Sequence, residues 1–231
     1  MTRQPPANEN PGRGHALRRT VFLHIGKTGG TALRAMLRAH FARTGQRPFV
    51  ILPHSVTLDQ AAARYPRAEI GFFIRDPLDR LVSGFLSRQR RGWPRHDIPW
   101  TEDEARAFAD FDSPDALGRA LAADDPRAHA ALQAIQHTRE GLAHFLGSPE
   151  TLDHLAPRIG FIGQTERFAA DIARLKARFG LAHDLAPPED AVGAHRNPEP
   201  QRARLSPEAA AALRGWLAAD YAVYAWCRCR P

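Results

Sequence analysis

The chain has 231 residues, 43% of them apolar and 25% charged, which suits one sizeable folded domain and argues against a long disordered polypeptide. No stretch approaches the roughly 18 consecutive apolar residues of a membrane-spanning helix. Cys227 and Cys229, the only two cysteines, exclude a disulfide scaffold and an all-cysteine zinc site.

Lysine and arginine together number 32 against 25 acids, a formal charge of +7, so anionic partners are favoured. Only Lys27 and Lys176 are lysines and the other basic residues are arginine, as a coding bias towards Arg and Ala would produce. A lysine retained inside a glycine-rich turn therefore stands out.

Residues 1–19 are polar, carry Pro5, Pro6, Pro11, Gly12 and Gly14, and lack the apolar core of a secretory signal. They read as a loose arm, and residues 20–231 as the domain. The β-branched and aromatic run at 20–25 predicts a buried strand. Residues 26–30 predict a turn, and 31–41 a helix with Leu33, Met36, Leu37 and Phe41 on one stripe. A second strand is predicted over 48–52, a short helix over 57–65 and a third strand over 69–75. Asp76 then suits a helix cap, with Pro77 at the first helical position and Leu78, Leu81, Val82, Phe85 and Leu86 on the apolar face. From 92 to 157 the pattern is helical, broken at Pro94, Pro99, Pro114, Pro126 and Pro149. A fourth strand over 158–164, a helix over 166–179 ended by Gly180, a proline-rich loop and a last helix from Ser206 complete the chain. The last helix turns Leu213, Trp216, Leu217 and Tyr224 inward. This alternation predicts an α/β domain with a mainly parallel sheet flanked by helices.

In such a sheet the turn His24-Ile25-Gly26-Lys27-Thr28-Gly29-Gly30-Thr31 lies at the carboxyl edge, where ligands bind. Glycines let backbone N–H groups converge on one point, and the following helix adds partial positive charge. Lys27 contributes a full charge, and Thr28 and Thr31 are expected to contribute hydroxyls. Gly26, Lys27, Thr28, Gly29, Gly30 and Thr31 thus form a candidate cradle for a phosphate-like anion. It is not a Walker A loop. The first glycine of that loop would fall at position 21, which is Val21, and no strand ends in a free aspartate for Mg²⁺. Farther along, Arg75 ends a strand at the same edge, and Arg80 and Ser83 share a helix face three residues apart. An arginine and a hydroxyl suit a terminal phosphate. Each feature also has a plainer reading: a structural glycine turn, a capped helix start, a solvated arginine.

The segment 22–31 resembles the strand and turn that hold the 5′-phosphosulfate in sulfotransferases dependent on 3′-phosphoadenosine 5′-phosphosulfate (PAPS). It looks most like the carbohydrate sulfotransferases related to heparan sulfate 2-O-sulfotransferase and their bacterial relatives. Gly26 stands where that family has proline, and Ala32 where it has serine. The segment Phe72-Phe73-Ile74-Arg75-Asp76-Pro77-Leu78-Asp79-Arg80-Leu81-Val82-Ser83-Gly84-Phe85 resembles the family's 3′-phosphate signature. Weaker echoes run from about Thr20 to Tyr224. They include Ile162-Gly163-Gln164-Thr165-Glu166-Arg167-Phe168, Gln136-His137-Thr138-Arg139 with His137 intruding, and His195-Arg196-Asn197 in a late loop.

The resemblance implies a single P-loop-like α/β domain that moves a sulfuryl group from PAPS to an acceptor hydroxyl, without a metal. It implies cofactor binding by Gly26, Lys27, Thr28, Gly29, Gly30, Thr31, Arg75, Ser83 and Arg196, with Lys27 also catalytic. A cytoplasmic location follows, because bacterial PAPS is cytosolic. His54, after the second strand, is the expected general base. Its rivals are His24, held within its strand, and Glu166, at a helix start. Pro53 also permits a turn in which His54 only caps a helix. The basic and aromatic stretch Arg88, Arg90, Arg91, Trp93, Arg95 and Trp100 suits either an anionic glycan acceptor or an exposed loop. The alternatives are an atypical nucleotide kinase and a non-enzymatic nucleic-acid binder. No zinc-finger spacing or RNA-binding aromatic signature supports the second, so nucleic acid is not the expected partner.

Overall fold

A computed structural model describes residues 20–94, 96–182, 184–186 and 204–230. The expected N-terminal arm, Arg95, Arg196 and most of the proline-rich loop lie outside the described residues. In chain order come β1 (Thr20–Phe22), α1 (Gly30–Thr44), β2 (Phe49–Ile51), α2 (Leu58–Arg64), β3 (Glu69–Ile74) and α3 (Pro77–Gln89). Then follow α4 (Glu102–Asp110), α5 (Pro114–Ala122), α6 (Pro126–Ala134), α7 (Gln136–Arg139), α8 (Leu142–Leu146) and α9 (Pro149–Leu155). The chain continues with β4 (Ile159–Gln164), α10 (Phe168–Phe179), α11 (Pro207–Trp216) and α12 (Ala218–Arg228).

The strands form one parallel sheet in the order β2-β1-β3-β4. Successive side chains of a strand face opposite sides, and the core divides accordingly. Val21, Leu23, Ile70, Phe72 and Ile74 pack on one face with Leu58, Leu142, Phe145, Leu152 and Val223. Phe22, Phe73 and Phe161 pack on the other with Leu33, Met36, Phe49, Ile172 and Leu175. A third cluster joins the apolar face of α3 to α4, α5, α6 and α11. The predicted α/β architecture, with helices on both sheet faces, is the observed one.

Most helix starts are written locally. Asp76 accepts from the N–H groups of Leu78 and Asp79 with Pro77 behind it. Ser113-Pro114, Asp125-Pro126 and Ser148-Pro149 repeat that device, so these prolines begin helices where the sequence reading placed breaks, and Ser206-Pro207 starts a helix as expected.

Three expectations need correction. The last helix is two, because the chain bends at Leu217, which ends α11 and begins α12. Phe41 is 41% exposed beneath the Arg47 guanidinium and does not join the buried stripe. The helix expected from Glu166 starts at Phe168 after a 3₁₀ turn, since the Glu166 carboxylate is engaged elsewhere.

Candidate anion site at the strand-order reversal

Chain order reverses direction between β1 and β3, so the segments leaving these neighbouring strands diverge and open a crevice at their carboxyl ends. The segment after β1 is the glycine turn, and the segment after β3 carries Arg75 and Asp76.

β1 pairs only as far as Phe22, although Leu23 N–H still donates to Gly71 O at 2.9 Å. The chain then leaves the sheet to build the turn. Lys27 has φ 68, a left-handed conformation rare for a residue with a side chain. Gly29 follows with φ 84 and caps α1 without a side-chain bond, and the first turn of α1 holds no acid. The N-terminal N–H groups of a 15-residue helix thus begin beside the turn. A Cβ on Gly30 would lie 2.1 Å from His24 Cδ2, so glycine there is what lets the His24 ring lie against the helix start. The Thr28 hydroxyl donates to Ile25 O at 2.9 Å and Thr28 is 2% exposed. The expected Thr28 hydroxyl donor is thereby corrected: its proton closes the turn. Thr31 is half-buried in the first turn of α1.

Around the turn gathers positive charge. Lys27 is pushed down to about 7, first by burial and then by the nearby charges of Arg75, Arg90 and Arg80. Neither Lys27 nor Arg75 has a hydrogen-bond or ion-pair partner among the described residues. Arg80 differs from its sequence reading. It is 3% exposed, donates from Nε to Gly26 O at 2.9 Å and from Nη2 to Glu140 O at 2.5 Å, and so braces the turn. Ser83, one helical turn on, is half-buried.

The junction after β3 is pinned from two sides. Glu166 Oε1 accepts from Asp76 N–H at 2.5 Å, and the Tyr221 hydroxyl donates to Asp76 Oδ1 at 3.2 Å. Glu166 therefore anchors the Arg75 segment and does not cap α10.

His54 is exposed, and its ring stacks on that of His24 with centroids 3.5 Å apart and 29° between the planes. Thr57 caps α2, so His54 is not a helix cap. Desolvation of its ring against His24, and then the Arg34 charge, lower the His54 pKa, while burial, with His54 and Arg34, takes His24 down to about 3. Both rings are neutral near pH 7.

Sequence reasoning missed three parts of this site. His137 lies against Gly26, Arg34 faces both stacked histidines, and Arg90 faces Lys27. The intruding His137 was a visible signal without a role. The basic stretch divides. Arg88 is buried, donating to Glu104 Oε1 at 2.8 Å, and Trp100 Nε1 donates to Arg88 O at 2.7 Å. Trp93, at 59% exposed, and Ile98, at 53%, remain open.

Among the described residues no helix is long and apolar enough to cross a membrane, and no group of three His, Cys, Asp or Glu is placed to hold a metal ion. Comparison with protein-family models, curated proteins and solved structures returned no match.

Proposed function

We propose that the chain is a sulfotransferase that uses PAPS as donor and a carbohydrate hydroxyl as acceptor. The observation that carries this reading is positive charge gathered at one turn beside an uncapped helix start: Arg75, Arg90 and Arg80 all act on the buried Lys27, with the Asp79 carboxylate near Arg75 and those of Asp220 and Glu140 near Arg80. Like charges held together in this way are compensated by a multiply charged anion. The resemblance of the segments around Lys27 and Arg75 to the two phosphate signatures narrows that anion to a nucleotide carrying a 5′-phosphosulfate and a 3′-phosphate.

In this reading the turn from Gly26 to Thr31 holds the 5′ end through its backbone N–H groups. Arg75 and Ser83 meet the 3′-phosphate, with Arg75 free to do so because Asp76 is fixed by Glu166 and Tyr221. His54, neutral near pH 7, takes the acceptor hydroxyl's proton as the new O–S bond forms. Lys27 meets the negative charge on the bridging oxygen as the old S–O bond breaks, and 3′,5′-bisphosphoadenosine remains. Arg196 stays in the proposal as a nucleotide contact from the late loop. The exposed Trp93 offers a face for a sugar ring near Arg90. A cytoplasmic site of action, where the donor is made, completes the reading.

Calorimetric titration with 3′,5′-bisphosphoadenosine and, separately, with ATP–Mg²⁺ tests it. Tight binding of the bisphosphate without metal supports the sulfotransferase. Preference for ATP–Mg²⁺ would assign a kinase. Binding of DNA with steep salt dependence, and of neither nucleotide, would assign a nucleic-acid binder.

A further inference from the structure

His137 stands out from the family resemblance in sequence, and so does Gly26. In the fold the two departures touch. A Cβ placed on Gly26 would lie 3.2 Å from His137 Nδ1 and 3.4 Å from its Cε1. On the other side, a Cβ on Gly84 would lie 2.7 Å from the His137 Cβ. The imidazole is wedged between the turn and α3 by two residues without side chains. A ring on residue 26, as proline would bring, would press on that space.

We propose that His137 is a ligand-binding residue of this site, donating a ring N–H hydrogen bond to the anion held over Gly26 and Lys27. The inference rests on the reading that the turn holds a phosphate-like group. Three observations point the same way. The ring touches the turn at Gly26, next to Lys27, and Arg80 Nη2 lies within 3.9 Å of the same point. The His137 side chain makes no hydrogen bond among the described residues, and the residue is half-buried between Gly26 and Gly84. The charges that act on it most strongly are Lys27, Arg80, His54 and Arg88. Burial, with these charges, takes its pKa down to about 3, so it is a neutral donor. A neutral donor fits here because it adds a hydrogen bond to the anion without adding to the repulsion among the surrounding cations.

The probe is inorganic pyrophosphate, which carries the two linked anionic groups without the nucleoside. Protein with ¹⁵N-labelled histidine is titrated with it, and the His137 ring nitrogens are followed by long-range proton–nitrogen correlation. His137→Gln identifies the resonance. Saturation should shift the His137 ring nitrogen that carries the proton while leaving the ring neutral. In parallel, His137→Phe keeps the bulk and removes the donor, and should weaken pyrophosphate binding roughly ten- to a hundredfold, the size of one hydrogen bond to a charged group. His137→Gln, which keeps an N–H donor, should recover part of that loss.

A purely structural His137 predicts unmoved ring nitrogens and unchanged pyrophosphate affinity in the phenylalanine variant, and either result overturns the inference. Should the phenylalanine variant fail to fold, the wild-type titration decides alone. The two readings fail separately. If pyrophosphate shifts His137 but 3′,5′-bisphosphoadenosine cannot displace it, the nucleotide reading falls and the role of His137 stands.

Discussion

Lys27 gives the cation cluster a measurable signature. Its pKa falls from an ordinary 10.5 to about 7 because burial and the charges of Arg75, Arg90 and Arg80 all disfavour a fourth positive group. A bound phosphate or phosphosulfate reverses the sign of that environment and pulls the ammonium back towards its usual range. Below pH 7 the lysine is already protonated and binding takes up nothing. At pH 8 roughly nine-tenths of the empty sites hold a neutral lysine, so binding should take up close to one proton per site. Affinity should then fall up to about tenfold for each pH unit above 7 until the bound-state pKa is reached. The other groups at the turn stay silent in this window: His24 and His137 titrate near 3, His54 below its ordinary 6.5, and Arg80 near 10. Calorimetry with 3′,5′-bisphosphoadenosine at pH 8, in two buffers of different ionisation enthalpy, reads the proton uptake directly, and Lys27→Met should abolish it. In the empty protein the unfolded chain holds more Lys27 protons than the folded one between pH 7 and 10.5, so stability should rise with pH there. Buffer-independent heats with flat affinity from pH 6.5 to 8.5 would refute the charge-cluster argument.

Further outcomes follow from the same geometry. Lys27→Ala should abolish sulfuryl transfer while the fold persists, through loss of about 2.7–4 kcal/mol of transition-state stabilisation, and Lys27→Arg should also turn over poorly because a planar fork does not replace a compact ammonium. Arg75→Ala should weaken 3′,5′-bisphosphoadenosine binding by roughly 1.5–3 kcal/mol and Ser83→Ala by less, with little change for adenosine 5′-phosphosulfate, and equal losses for both nucleotides would contradict the assignment. His54→Ala should lower kcat by about 10²–10⁴-fold with nucleotide affinity kept. The wild-type acid limb, where the base is lost to protonation as pH falls, should lie below 6.5 and vanish in the variant, and a wild-type kcat would move the base elsewhere, with Glu166 the next residue to test. Arg88→Met leaves the buried Glu104 carboxylate unpaired and should cost about 3–5 kcal/mol in urea unfolding, while Arg91→Met on the exposed side of the same stretch should cost under about 0.5.

The parts of this molecule legible in its sequence are those whose physics is local. Asp76-Pro77 starts α3 because the cap and the fixed φ need only neighbouring residues, and the alternation through Val21, Phe22 and Leu23 sorts side chains onto the two sheet faces within a few positions. The turn at Gly26 and the strand end at Arg75 were placed at one edge by the βαβ pattern alone. Long-range bonds were not legible. Arg80 looked like a ligand arginine on a helix face, yet its partners Gly26 O and Glu140 O lie 54 and 60 residues away. Glu166 looked like a helix-start carboxylate and a rival base, yet its partner, Asp76 N–H, is 90 residues distant. Ser113-Pro114, Asp125-Pro126 and Ser148-Pro149 carry the same local cap-and-proline pattern as Asp76-Pro77, a signal that reading these prolines as breaks passed over. Thr28 was misjudged for a smaller reason: a hydroxyl three residues after a free carbonyl can turn back onto it, and it does.

Roles divide among the basic residues according to what each meets. Arg88 lies opposite Glu104, so burial leaves it compensated and it serves α3 and α4. Arg80 donates to two main-chain carbonyls and has the Asp220 and Glu140 carboxylates nearby, so it serves to hold the turn. Lys27 and Arg75 make no hydrogen bond or ion pair among the described residues, although the Asp79 carboxylate acts on Arg75 through space, and the left-handed backbone at Lys27 keeps its main chain within the turn that Arg80 braces. Local strain and like-charge repulsion thus accumulate at one place, where the structure around it is firmly bonded: Asp76 by Glu166 and Tyr221, Gly26 by Arg80, and the Glu140 segment by Asp220, which accepts from Ala143 N–H at 2.6 Å. Unfavourable energy held by a rigid surround is relieved by a ligand of opposite charge rather than by local rearrangement. That distribution of strain, more than the +7 charge of the whole chain, argues for a built anion site at the β1–β3 crevice.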